Sequence, residues 1–249
     1  MRQTQQKKSG SMIDVHAHIL PGVDDGARDF AETSRLLRFS ISQGFGAVIA
    51  TPHGSRGNGG AGIEKLAELT ELARQEIQKE HPDFELYLGQ ETRYHEELPQ
   101  KLREGKACTM AGSRYVLVEF ETGDGYSRLL GGIRALSLAG FLPVLAHVER
   151  YGCLRQDERL EGLAEMGCVF QMNYGSLQGS WLSPRVRWCR RQVCEGRIQL
   201  LGTDMHRTDY RPPDTAKAMR WLEKNVREEL VEAMTRKNAL HMIRDEGMD

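Results

Sequence analysis

The stretch Asp14-Val15-His16-Ala17-His18-Ile19-Leu20-Pro21-Gly22-Val23-Asp24-Asp25-Gly26 decides how the rest of this chain is read. Met12–His16 reads as a short apolar strand, with His16 and His18 two residues apart at its end. Residues i and i+2 of a strand point to the same face, so both imidazoles can reach one metal ion from a single rigid element. An acidic pair, Asp24-Asp25, stands just before the glycine at which the chain can turn. Neutral imidazole together with carboxylate is a donor mixture that suits zinc, manganese or iron. A lone His-x-His is common, so the weight falls on the residues further along the chain.

Six further β-rich apolar runs lie at 47–51, 86–89, 115–120, 143–147, 169–173 and 199–202. Amphipathic helical patterns fill the gaps, at 30–43, 63–79, 127–139, 159–166 and 185–195, and two or three helices are expected after Pro213. This alternation predicts a parallel sheet with helices outside, and seven βα units favour a closed barrel over an open two-faced sheet. Residues 12–249 read as a single domain, within the size range of α/β barrels. Residues 1–11 are polar, lack the apolar middle of a signal peptide, and read as a disordered leader or tag.

The polar residues at the strand ends make the pattern specific. Beyond His16 and His18 these are His53 in Thr51-Pro52-His53, Glu91 in Gly89-Gln90-Glu91, and Glu119 inside Val118-Glu119-Phe120. His147 and Arg150 follow the fifth run, Gln171 and Asn173 close the sixth, and Asp204 and His206 follow the seventh. In a barrel of parallel strands the C-terminal ends converge on one mouth, where the chemistry is found. Five of the eight histidines fall there, leaving His81, His95 and His241 as expected surface residues. A carboxylate embedded in an apolar strand, as Glu119 is, needs a cation beside it. Four carboxylates are balanced by two divalent ions, and a third leaves a positive surplus suited to hydroxide and a phosphate dianion. The ligands are also too many for one tetrahedral ion, which favours a cluster.

Bulk properties narrow the function classes. A net charge of −1 gives no reason to expect a nucleic-acid or membrane-surface partner. No apolar run reaches the ~20 residues of a membrane span, and a cytoplasmic location is expected. The arginines of Arg185-Val186-Arg187-Trp188-Cys189-Arg190-Arg191 read as a solvated helix face. Five cysteines without a C-x-x-C pair suggest neither a disulfide framework nor a zinc knuckle. Cys108 to Arg114 and Cys153 to Arg159 have the spacing of a thiolate phosphatase loop, but neither leads through a glycine cradle into a helix, and both read as coincidence.

Taken together, His-x-His-x-Leu-Pro-Gly-x-Asp-Asp-Gly (16–26), Thr-Pro-His (51–53), Gly-x-Glu (89–91), Val-Glu-Phe (118–120), Pro-Val-Leu-Ala-His-Val-Glu-Arg-Tyr (143–151), Asp-Met-His (204–206) and Arg-Pro-Pro (211–213) resemble the polymerase and histidinol phosphatase (PHP) superfamily. Within it they look like the capsule and exopolysaccharide-locus tyrosine phosphatases. The resemblance implies a distorted seven-stranded (β/α)7 barrel, similar to a TIM barrel, with a cluster of three ions, manganese before zinc or iron. By that analogy His16, His18, Glu91 and Asp204 hold one ion. Glu91 bridges to a second, held also by Glu119 and His147, and Asp25, His53 and His206 take the third. A metal-activated hydroxide would attack phosphorus, with Arg150 and Arg211 gripping the phosphate. The implied substrate is phosphotyrosine on the tail of a bacterial tyrosine autokinase that controls capsule or exopolysaccharide synthesis. Competing readings are a small-molecule phosphatase such as histidinol-phosphate phosphatase, a non-catalytic metal-binding regulator and, ranked below them, an amidohydrolase barrel. The chain departs from the family pattern after Thr-Pro-His, where residues 54–62 form a glycine-rich loop, expected to be mobile, carrying Arg56.

Overall fold

The computed structural model describes residues 10–54 and 62–248. Most of the expected leader, and the 55–61 part of the glycine-rich loop with Arg56, lie outside the described residues. Strands and helices alternate from β1 (Met12–Ala17) and α1 (Phe30–Ser42) through β2 (Phe45–Ala50) and α2 (Ile63–Gln78) to β3 (Glu85–Leu88) and β4 (Glu91–Arg93). After α3 (Leu98–Arg103) come β5 (Tyr115–Glu119), α4 (Tyr126–Leu138), β6 (Leu142–Leu145), α5 (Asp157–Ala164), β7 (Val169–Asn173), α6 (Pro184–Cys194) and β8 (Leu200–Gly202). Three C-terminal helices complete the order, α7 (Ala216–Asn225), α8 (Glu228–Glu232) and α9 (Asn238–Ile243). Among the described residues no helix is long and apolar enough to cross a membrane.

All strand pairings are parallel, in the orders β1-β2-β3 and β4-β5-β6-β7-β8. The run expected as one third strand is two pieces laid end to end along β2. Gly89 N–H donates to Ala50 O at 2.7 Å, Glu91 N–H to Pro52 O at 3.1 Å, and Gly54 N–H to Glu91 O at 2.8 Å. The eight segments therefore occupy seven strand positions. The interruption lies at Gly89, where the packing is close: an added Cβ would stand 2.8 Å from the Met110 sulfur and 3.0 Å from Ile49 Cγ2. On the other flank β1 meets the segment after β8, with His18 N–H to Met205 O and Asp204 N–H to His16 O, both 2.8 Å. These bonds join the two sheets on both sides and complete the ring.

Alternation along the strands sorts the core into an interior and a jacket. Ile13, Val15, Ala47, Ile49, Tyr115, Leu117, Val144 and Leu200 fill the interior, closed by Ala239 and Met242 of α9. Val48 and Ala50 face outward onto Leu36, Leu37, Leu66 and Leu69 of α1 and α2. Val116, Val118, Leu145 and Leu201 face the helices on the other side. Burying each such valine, leucine or isoleucine side chain contributes about 1.5–3 kcal/mol. The pairing of β1 with β2 slips by one residue between Asp14 and Ala17. That irregularity inverts the alternation: Val15 belongs to the interior, Ala17 and Ile19 belong to the α1 side, and His16 and His18 turn inward. Helix starts follow local chemistry. Asp29 caps α1 by accepting Glu32 N–H at 2.7 Å, and Ser183 with Pro184 opens α6.

Candidate metal centre

The nine side chains singled out as ligands form one connected group at the C-terminal ends of the strands. His16 Nε2 and His18 Nε2 face each other at 3.2 Å. Glu91 Oε2 lies 3.3 Å from each, and Asp204 Oδ1 lies 3.6 and 3.5 Å from them. Asp25 Oδ1 stands 3.5 Å from His53 Nε2 and 3.6 Å from His206 Nε2. His53 Nδ1 lies 3.2 Å from Glu91 Oε2 and 3.9 Å from Glu119 Oε1. His147 Nε2 is 2.8 Å from Glu91 Oε1 and 3.8 Å from Glu119 Oε2. Three overlapping sets can each hold an ion: His16, His18 and Glu91; His53, Glu91 and Glu119; and His18, Asp25, His53 and His206.

Hydrogen bonds behind the rings fix what each nitrogen offers. Gln171 Oε1 accepts His147 N–H at 2.7 Å, which identifies it as the amide oxygen, and the same oxygen is 3.1 Å from His16 Nδ1. His16 Nδ1 therefore carries the proton. His18 Nδ1 donates to Asp24 Oδ2 at 2.8 Å, and His206 Nδ1 donates to Asp204 O at 2.8 Å. In the neutral rings the Nε2 atoms of His16, His18 and His206 are bare lone pairs. Two of these converge at 3.2 Å with carboxylate oxygens of Glu91 and Asp204, so either a ring proton or a cation must stand among them. A cation satisfies that arrangement, and the imidazole and carboxylate donors are those of a transition-metal site.

The titration of the ion-free protein has the same cause. Burial opposes charging His16, yet the charges of Glu91 and Asp204 outweigh it and raise its pKa. Burial likewise opposes charging His18, and its hydrogen bonds to Asp24 and Glu91 raise its pKa well above the usual value. His206 goes the other way, to about 4, through burial and the nearby His18 charge. Burial would raise the pKa values of Glu91 and Asp204, but the adjacent histidines, and for Asp204 also Arg150, pull both down.

The two aspartates of the opening stretch have different surroundings. Asp24 is mostly buried, and it orients His18 while accepting His53 N–H at 2.9 Å. Burial opposes its ionisation, but the His18 contact takes its pKa down to about 2. Asp25 is exposed and turned toward His53 and His206. Gly26 makes the turn feasible, because a Cβ there would lie 2.0 Å from His18 O.

Both candidate clamps meet at one oxygen. Arg150 Nη2 pairs with Asp204 Oδ2, and Arg211 Nη1 lies 3.3 Å from it. Glu149, the sequence-adjacent alternative partner of Arg150, is instead buried and accepts Ser176 Oγ–H at 2.7 Å. Arg150, Asp204 and Arg211 line a polar cavity of about 430 Å³. His147, Asp204 and Arg211 adopt left-handed backbone conformations, with φ of 34°, 54° and 52°. The turn at His147 ends β6 two residues short of the expected boundary.

Several residues at the site have no counterpart among the ligands and clamps expected from sequence. Gln171 holds His16 and His147 and donates to Asn173 Oδ1 at 2.9 Å, while Asn173 Nδ2 donates to Asp204 Oδ2 at 2.9 Å. Their signal in the sequence is two amides at i and i+2 of an apolar strand. Asp14, fully buried, accepts Thr203 N–H, Thr203 Oγ1–H and His16 N–H, tying β1 to the end of β8. Glu119 has a protein cation as well, since Arg93 is its register partner on β4, with Nη2 3.4 Å away. The cysteine–arginine strings are separate from this centre. Burial pushes the Cys108 thiol up to about 11, Arg114 is held by Asp245, and Arg159 donates to Cys153 O. His81, His95 and His241 are half-buried and stand apart from the ligand group.

Known proteins are similar to this chain over most of its length. The tyrosine-protein phosphatase YwqE of Bacillus subtilis is 32% identical over 241 residues, covering 94% of this chain and 92% of its own. The tyrosine-protein phosphatase CpsB of Streptococcus pneumoniae is 31% identical over 208 residues, covering 81% and 86%. A solved structure from a study of YwqE and CpsB, described as metal-dependent tyrosine phosphatases, superposes with a TM-score of 0.85 at 31% identity, covering 96% of each chain. The family described as "Capsular polysaccharide synthesis, CpsB/CapC" matches residues 12–244, and this chain belongs to it.

Proposed function

We propose that this chain is a metal-dependent protein-tyrosine phosphatase that hydrolyses phosphotyrosine on a bacterial tyrosine autokinase controlling capsule or exopolysaccharide synthesis in the cytoplasm. The observation that carries this reading is the pair of imidazole nitrogens, His16 Nε2 and His18 Nε2, converging with Glu91 and Asp204 beside two arginines. Three divalent ions, manganese foremost, would be held by His16, His18, Glu91 and Asp204; by Glu91, Glu119 and His147; and by Asp25, His53 and His206. Bound there, such ions supply an activated water and neutralise charge on the phosphoryl oxygens. The chain's own groups do the rest. Arg150 and Arg211 share Asp204 Oδ2 in the ion-free protein, and a phosphate dianion in the cavity can draw either guanidinium into a bidentate grip. Asp24 and Gln171 keep the protons of His18 and His16 on Nδ1, away from the reacting groups.

The test is metal-stripped protein with manganese, zinc, magnesium or iron added back, assayed on a phosphotyrosyl peptide and on histidinol phosphate. Restored turnover with preference for the peptide, lost in His16→Ala, is expected. A large preference for histidinol phosphate assigns a small-molecule phosphatase instead. Fewer than two equivalents of bound metal, together with an active His16→Ala variant, rules out the cluster.

A further inference from the structure

The cavity lined by Arg150 and Arg211 is also lined by Ser183, Arg185 and Val186 at the start of α6, and by Asp214. The arginine run 185–191 has different partners along its length. Arg187 donates to Leu182 O at 3.0 Å, Arg190 to Leu177 O, and Arg191 pairs with Asp157. Among the described residues Arg185 has no carboxylate partner, and its polar contact is Ser176 Oγ at 3.2 Å. Next to it the 178–183 segment presents Trp181 and Leu182, 69% and 62% exposed. This segment is anchored at both ends. Gln178 Nε2 donates to Asp214 O, on the loop that follows Arg211, and Arg187 holds the Leu182 carbonyl. The exposed apolar pair thus stands beside a cation that has no direct carboxylate partner and reaches buried Glu149 only through the Ser176 hydroxyl. That cation is on the wall of the cavity that Arg150 and Arg211 also line, and the combination fits an extended peptide better than a small ester.

We infer that Arg185, with Trp181 and Leu182, forms a subsite for the peptide flanking the phosphotyrosine, and that Arg185 selects an acidic side chain there. The inference rests on the proposed phosphatase reading and names the substrate feature that the same cavity recognises. Charge complementarity chooses the occupant. Arg150 and Arg211 serve the phosphate, so Arg185 is left for a second anionic group, a neighbouring aspartate or glutamate. The apolar pair would cover the peptide stem on the solvent side.

The experiment compares two phosphotyrosyl peptides that differ only in Asp/Glu against Asn/Gln beside the phosphotyrosine, using manganese-loaded full-length protein. The expected ratio of kcat/KM, acidic over neutral, is roughly tenfold, the size of one charge-assisted hydrogen bond in a half-open site. In Arg185→Gln the ratio falls to near one, and the loss appears in KM. Trp181→Ala weakens both peptides alike and keeps the ratio. A wild-type ratio near one, or a ratio that survives Arg185→Gln, overturns the subsite. Binding of the matching non-hydrolysable phosphonate peptides, followed by tryptophan fluorescence, reads the same ratio without turnover. Phosphonate selectivity with no hydrolysis of any phosphotyrosyl peptide overturns the phosphatase reading alone, whereas hydrolysis without selectivity overturns the subsite alone.

Discussion

Replacing Gln171 by leucine separates the metal centre from the scaffold that orients it. The single oxygen Oε1 accepts both His147 N–H at 2.7 Å and His16 Nδ1–H at 3.1 Å, and the side chain has no solvent exposure. Gln171→Leu strands two buried donors, and each costs about 1–3 kcal/mol. The variant should therefore lose roughly 2–6 kcal/mol of stability in urea unfolding of the ion-free protein. His16 also loses the contact that keeps its proton off Nε2, and outer partners of this kind are worth about 10–100-fold in metal affinity. Competition against a chromophoric chelator measures that loss directly. Gln171→Glu divides the two effects. It returns an acceptor to His16 and His147, so affinity recovers, but it sets a carboxylate against Asn173 Oδ1, so stability does not. If Gln171→Leu binds metal within about twofold of wild type, below the range expected of an outer partner, the orienting role is wrong.

Three further outcomes are expected from the same geometry. Burial raises Asp14 to about pH 6 despite its hydrogen bonds from Thr203 and His16. A carboxylate raised above its unfolded value weakens the fold as pH climbs from near 4 through 6, so ion-free Asp14→Asn should be more stable than wild type by up to about 3 kcal/mol at pH 8 and equal to it near pH 3, read by urea unfolding. The His16–His18 pair is raised, so its stabilising protons are fully present below about pH 6.5 and lost as pH rises through the raised values. The urea midpoint of ion-free protein should thus fall above that pH, while manganese-loaded protein stays flat; equal slopes count against ions replacing those protons. Arg150→Lys keeps the charge but loses the planar fork, and should lower kcat/KM on para-nitrophenyl phosphate by about 10²-fold with metal content unchanged.

The parts of the molecule that are legible in the sequence are those where polarity changes abruptly along an apolar run. His147, Asp204 and His206 each follow a buried strand, and burial leaves polar residues there few roles. The split of the third strand is not legible, because the apolar run and Gly-x-Glu read as one continuous strand, and only the backbone hydrogen bonds to β2 and Pro52 show the two pieces. Nor are the separate roles of Asp24 and Asp25, which have identical chemistry and differ only through the turn at Gly26. Gln171 and Asn173 are visible in the sequence as amides closing an apolar run, but with no charge and no metal-ligand signature their role shows only in their contacts. Glu119 reads in sequence as needing a metal for its charge, but Arg93 already supplies part of that partner through strand register.

The backbone at the mouth explains why so many neutral hydrogen bonds gather there. His147, Asp204 and Arg211 sit in the left-handed region, which costs side-chain-bearing residues of order 1–3 kcal/mol each, so the surroundings must over-determine them. Each has a specific restraint. Gln171 takes the His147 N–H, His16 O takes the Asp204 N–H, and Arg211 O takes the His206 N–H. Two of these restraints run through His16 or the amide that orients it. The first strand therefore contributes more than two imidazoles. Its carbonyl and its one-residue slip against β2 hold the last strand end in the conformation that turns Asp204 toward His16 and His18. Ring closure and ligand placement are one set of contacts, and a change that loosens the β1–β8 seam should disable the metal centre before it unfolds the barrel.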